Sequence, residues 1–256
     1  MTAGQSSSAL QLLGRVGQAS KKADEALSRA RASRHLFTLG HALTMGGLWL
    51  SFLRREPEKL LAYSEEVIAL SEENGFGEWP GFGAFFRGWA LAELGELEKG
   101  VDGMETALET FKQRGGIPDM PIHPAELARG YARLGRTDLA LTTLEEILTG
   151  IEPSGAVGYK AEILRIKGEV LLRGNTMQVD AESCFRAAID VARTQEAKWW
   201  ELRATTSLAR FLRDTNRRDE AHAMLAKIYD WFTDGFDTAD LKDAKALLDE
   251  LSDREA

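Results

Sequence analysis

Apolar side chains return every three to four residues along most of this chain, the spacing of one helix face, and nowhere persist in the strict alternation of a half-buried strand. The helical pattern itself recurs. Leu60, Gly100, Ala140, Ala181 and Ala221 follow one another at 40, 40, 41 and 40 residues. Four residues after each come Ser64, Met104, Leu144, Phe185 and Leu225, and three further on Val67, Ala107, Ile147, Ala188 and Ile228. Twelve or thirteen residues before each stand Leu48, Gly88, Ala128, Gly168 and Ala209, followed by Ser51, Leu91, Tyr131, Leu171 and Leu212. A fixed period of this length predicts stacked helix pairs, each burying its apolar face only against its neighbours.

Each unit reads as helix A, a tight turn and helix B. The turns lie at 54–57, 94–96, 134–136, 173–175 and 215–217, with Pro57 suited to the first turn of a B helix. Longer Gly- and Pro-bearing breaks at 75–81, 115–124 and 152–158 separate the units. Residues 1–8 carry no periodicity and are expected to be a disordered lead. Residues 9–34 form an N-terminal helical segment, helix being read over 9–32, and residues 35–236 five repeats of about 40 residues. Gly235 is expected to end the last B helix, with Phe236 folding back on it. A capping helix and tail then occupy 237–256, started by Asp237 or Thr238, with Leu241, Ala244, Leu248 and Leu251 on one face. The expected fold is all-α, a right-handed α-α superhelix of five helix pairs closed by that cap.

Composition narrows the function classes. The chain has 256 residues, 44% hydrophobic and 28% charged, with net charge −8 and pI near 5.2. That balance argues against general nucleic-acid binding, which needs a basic footprint. The single Cys184 fits a reducing compartment and, with no signal-peptide pattern at the start, points to the cytoplasm. The apolar run 42–53 reads as a buried helix, too short to span a bilayer. His35, His41, His123 and His222 fall in different repeats without metal-ligand spacing. No nucleophile–base set can be argued, so neither catalysis, metal nor cofactor is expected.

The order small, large, then small, large, small resembles the tetratricopeptide consensus, whose unit is about 34 residues against about 40 here. HEAT and armadillo repeats share the longer period but lack these small anchors. The stretches 161–172, 181–189, 201–209 and 229–248 are similar to the C-terminal repeat region of bacterial signalling ATPases, many of which carry cyclase or kinase domains. The resemblance covers roughly residues 40–252. No GxxxxGK[ST] phosphate loop and no cyclase or kinase motif set is present, so it implies a regulatory module without catalysis of its own.

In such a stack the A helices line a concave groove. The position after the small anchor runs Trp49, Trp89, Arg129, Glu169, Arg210; Met45, Phe85 and Arg165 precede it by a turn, and Phe52, Arg133, Arg173 and Arg213 follow. Two readings stand side by side. The aromatics could be packing between neighbouring A helices. Alternatively, an apolar anchor pocket continues into a basic stretch that takes an acidic, partly apolar segment of a protein partner. The module reading competes with a free-standing adaptor and with a small-molecule sensor. An upstream reading frame encoding an ATPase favours the first, a stop before Met1 the second, and thermal stabilisation by metabolites but not peptides the third.

Overall fold

The structure, a computed structural model, describes residues 3–76, 79–113, 120–174 and 178–253. Among them helix is the regular secondary structure and no strand occurs. Contacts divide the chain into two compact units.

The first unit contains α1 (Ala3–Leu12), α2 (Val16–Ser33), α3 (Leu36–Ala42), a π-helical stretch Leu43–Leu48 and α4 (Trp49–Leu53). It continues with α5 (Pro57–Asn74), α6 (Trp79–Glu93) and α7 (Leu97–Gln113). The segment from α3 to α4 is one rod of 18 residues, long and apolar enough to cross a membrane, yet 67% of it is buried inside the fold. It packs on α2 and α5, while α6 packs on α5 and α7.

The second unit holds α8 (Ile122–Arg133), α9 (Thr137–Ser154), α10 (Lys160–Arg173) after a 3-10 turn at Val157–Tyr159, and α11 (Gln178–Thr194). Then follow α12 (Lys198–Asp214), α13 (Arg218–Tyr229) and α14 (Ala239–Ser252). Consecutive helices pack on each other. In addition α8, α10, α12 and α14 touch in succession, so each A helix meets its own partner and the next A helix.

The 40-residue register is physically present. Leu60, Ala140, Ala181 and Ala221 are wholly buried, as are Ser64, Leu144, Phe185 and Leu225 one turn on. A Cβ on Gly88 would lie 2.7 Å from the Gly100 carbonyl oxygen, and one on Gly100 would lie 2.5 Å from the Ala92 nitrogen, so α6 and α7 meet backbone to backbone. The A-to-B turns repeat one hydrogen bond. Glu56, Glu96, Arg136 and Arg217 donate their backbone N–H to the carbonyls of Ser51, Leu91, Tyr131 and Leu212 at 2.9, 2.9, 2.9 and 2.8 Å. That is the six-to-one closure of a helix C-terminus, and it requires a left-handed residue, supplied here by Arg55, Gly95, Gly135 and Asn216.

Several boundaries differ from expectation. Residues 3–8 are not a disordered lead but begin α1. The Ser7 hydroxyl donates to the Gly4 carbonyl at 2.6 Å, and Gly4 fits so closely on Met45 that a Cβ would come within 2.7 Å of it. The helix expected over 9–32 breaks at Gly14, whose φ is +77°, and resumes as α2. Helix α9 runs through Pro153 to Ser154, because a proline in the last turn forfeits only one intrahelical bond. The last B helix stops at Tyr229, before Gly235; Phe236 is half-exposed with its ring 5.6 Å from that of Tyr229. Thr238 precedes α14 but turns its hydroxyl back to the Gly235 carbonyl at 2.6 Å, so it makes no side-chain cap. Asn175 in one turn, parts of the breaks at 75–81 and 115–124, and the tail beyond 253 lie outside the described residues.

Candidate functional site

In the first unit the expected groove residues are core. Trp49, Phe52, Phe85 and Trp89 are buried, and only Met45 of that set is part-exposed. Their rings form an edge-to-face cluster: Trp49 to Phe52 at 5.7 Å, Trp49 to Phe86 at 5.2 Å, Phe52 to Trp89 at 5.2 Å and Phe85 to Phe86 at 5.7 Å. This geometry is favourable for aromatic pairs, and it joins α4 to α6. The packing reading of these aromatics therefore holds, and an open anchor pocket at Trp49 and Trp89 does not. Two bulky rings at equivalent positions of neighbouring A helices fill the gap between those helices.

The second unit opens where the first is closed. At the position of Trp49 and Trp89 stand Arg129, Glu169 and Arg210, whose side chains are 22%, 34% and 43% exposed. Arg129, Arg133, Glu169 and Arg173 line one cleft of about 360 Å³ between α8 and α10, floored by Ala132, Val170 and Leu172. Arg210 reaches the Asp243 carboxylate at 3.4 Å on the capping helix. Arg213 pairs there with Glu250 at 2.9 Å and lines a different cleft with Arg218, His222 and Ser252. Four of the seven charged candidates thus come together, and Arg165, Arg210 and Arg213 do not join them.

Arg165 is buried, not groove-lining. It holds Glu162 through a two-pronged fork, Nη2 to Oε1 at 2.7 Å and Nε to Oε2 at 2.9 Å, and its Nη1 also donates to Glu169. The Ser207 hydroxyl donates to Glu169 Oε1 at 3.0 Å. Arg203 reaches the same Glu162 Oε1 at 3.0 Å and Asp240 Oδ1 at 3.6 Å, lying over the Trp200 ring. Arg129 holds the buried Glu126 at 2.7 Å. A charge-paired ribbon therefore runs beneath the cleft through α8, α10, α12 and α14.

Electrostatics follow from burial against pairing. Burial pushes the Glu162 carboxyl up, but Arg165 and Arg203 outweigh it and bring it down to about 2. Burial likewise opposes ionisation of Glu169, and Arg165 with Arg129 holds it below the usual carboxylate range. Burial lowers His123 to about 3, so that its ring stays neutral at neutral pH. Cys184 is half-buried with its thiol pushed up by burial, the opposite of an activated nucleophile. Among the described residues no three His, Cys, Asp or Glu side chains are grouped to hold a metal.

The ribbon was missed from sequence, although a signal existed. Glu162 and Arg203 stand one repeat apart, both six residues before a small anchor, so opposite charges at one register position on successive A helices mark a buried pair.

No protein-family model matches the chain. It is 25% identical over 209 residues to an uncharacterised protein of Rhizobium meliloti (strain 1021). The match takes in 80% of this chain but only 20% of that relative, so the chain spans about a fifth of its relative's length.

Proposed function

We infer that the chain is a non-catalytic interaction module built of tetratricopeptide-like repeats in a right-handed superhelix, the regulatory part of a larger cytoplasmic signalling ATPase or cyclase system. The 40-residue register, the repeated A-to-B turn bond and the succession of A helices support the repeat reading. A relative of which the match takes in only 20% supports the module reading, since the chain then corresponds to one section of a longer polypeptide.

The observation that carries the function is the cleft between α8 and α10. Three arginines and one glutamate on an aliphatic floor make a concave, locally basic site on a chain of net charge −8. Guanidinium groups grip carboxylates through paired donors, and Ala132, Val170 and Leu172 offer apolar surface beside them. The occupant is an acidic, partly aliphatic segment of a protein partner.

A peptide array graded from acidic-aliphatic through neutral to basic sequences tests this. The acidic-aliphatic peptides should be retained, and retention should fall about tenfold or more in the Arg133→Ala/Arg173→Ala double variant. It should also weaken at high salt, because these contacts are partly solvent-exposed. Retention indifferent to peptide charge, or unchanged in the double variant, overturns the assignment.

A further inference from the structure

The acid in the arginine-lined cleft is firmly held. Glu169 Oε1 accepts from the buried Arg165 guanidinium beneath it and from the Ser207 hydroxyl at 3.0 Å, and the charge of Arg129 steadies the same carboxylate. All three favour the ionised form, which burial alone would oppose. Among the described residues no hydrogen bond reaches the other oxygen, Oε2, while 34% of the side chain stays exposed in the cleft wall. An anchored carboxylate with one open oxygen is an acceptor for a donor from outside the fold.

The four charges of the cleft stand in two tiers. Arg129 and Glu169 are one 40-residue step apart on α8 and α10, and Arg133 and Arg173 repeat that step one turn further along the same helices. Four residues of helix rise roughly 6 Å. One end of the cleft wall is therefore wholly basic, and the other sets a carboxylate across from an arginine. Alternate residues of an extended segment lie roughly 6.5 Å apart and point to the same side, which matches that step.

We propose that Glu169 is a specificity-determining acceptor: the cleft takes an acidic segment that also carries one cationic side chain, two residues from a carboxylate. The ligand's carboxylate lies at the Arg173 end, and its cation reaches Glu169 Oε2. This rests on the acidic-segment reading of the cleft and refines it. A wholly acidic segment meets Glu169 as a fixed like charge, whereas a segment of mixed charge finds a partner there.

The probe is a fluorescein-labelled, end-blocked hexapeptide with glutamate at its first and third positions, lysine at the fifth and leucine between them. Its twin carries acetyl-lysine at the fifth position, which keeps the aliphatic stem and removes the charge. Both are titrated by anisotropy against wild type and Glu169→Gln, after circular dichroism has shown that the variant is folded. Net charge alone favours the twin, which is one unit more negative. Wild type should nevertheless bind the lysine peptide about threefold tighter or more, as a part-exposed ion pair implies. The preference should shrink as salt is raised. Glutamine keeps an acceptor for Arg165 and Ser207, so Glu169→Gln should lose the preference without losing the fold. If that variant does not fold, the wild-type comparison decides by itself. A role for Glu169 confined to holding the fold leaves wild type binding the twin as tightly or tighter, and that result overturns the inference while the acidic-segment reading stands. A lysine preference that persists in Glu169→Gln overturns it as well. No binding of either peptide to wild type up to about 1 mM removes the reading and the inference together.

Discussion

Two buried titratable side chains of the second unit, His123 and Glu162, meet acid in different pH windows. His123 is held near 3 in the fold against 6.5 in an open chain, so below about pH 6.5 the unfolded state takes up a proton that the folded state refuses. Stability is complete above that pH and falls as pH drops. At pH 5 the loss is on the order of 2 kcal/mol. Glu162 contributes in full until pH falls through 4.5, and its share is then lost towards 2. Thermal melts at pH 7.5 and 5.0 separate the two: wild type should lose stability over that interval, and His123→Leu should lose clearly less. An equal loss in both would place the acid sensitivity elsewhere. At this scale the sequence was least legible. The position after each small anchor stands out in the sequence, but whether it faces water or the next A helix depends on the neighbour's bulk. Phe86 closes over Trp49, whereas Arg129 stays part-exposed above Glu126, and a single helix pattern does not contain that information.

At the scale of the element, the spacing of small residues carried almost all of the prediction, because it reports backbone approach rather than mere hydrophobicity. Gly88 and Gly150 make the point by contrast. Alanine gains up to about 1 kcal/mol over glycine inside a helix by propensity alone. At Gly150 a Cβ meets nothing within 4 Å, so Gly150→Ala should stabilise the protein by an amount of that order. At Gly88 the new Cβ would press on the Gly100 oxygen and the Met104 nitrogen, at 2.7 and 2.8 Å, and backbone atoms cannot rotate away. Overpacking of this kind costs about 1–3 kcal/mol, so Gly88→Ala should be net destabilising. Denaturant titration of the two variants should give shifts of opposite sign. Where the boundaries were misread, polar and backbone detail overrode composition. The serines of α1 bond locally and to the Met45 carbonyl, with Ser8 at 3.4 Å, and the last B helix stops a turn and a half short of the glycine expected to end it.

For the whole molecule, neighbour-only packing makes damage local. Helix α14 buries Leu241, Ala244, Leu247, Leu248 and Leu251 against α12 and α13. Leu248→Asp would place a carboxylate in that seam, at a cost of several kcal/mol when no partner is at hand. Hydrogen exchange should then rise first in α12 to α14 and leave α5 to α7 of the other unit near their wild-type rates. Equal acceleration in both units would mean that the chain melts as one cooperative body. The all-helical class and the helix pairs were legible from the register alone. The division into two compact units was not, since the step from Gly100 to Ala140, which spans it, is the same 40 residues as the step from Leu60 to Gly100.

The π-helical stretch Leu43–Leu48 ends on Leu48, the first position of the register. Such a stretch holds about one residue more than an ordinary helical turn, and one residue of an α-helix is about 100° of rotation. Everything ahead of it on the rod is therefore turned by roughly that angle relative to Leu48 and the anchors downstream. Gly40 meets the Trp79 ring and Phe37 lies 4.7 Å from it, centroid to centroid, because of that angular offset. Loss of a single residue between 43 and 48 would leave the composition and the 40-residue spacing intact, yet swing Phe37 and Gly40 away from Trp79. A one-residue gap here is thus a change of aim rather than of length.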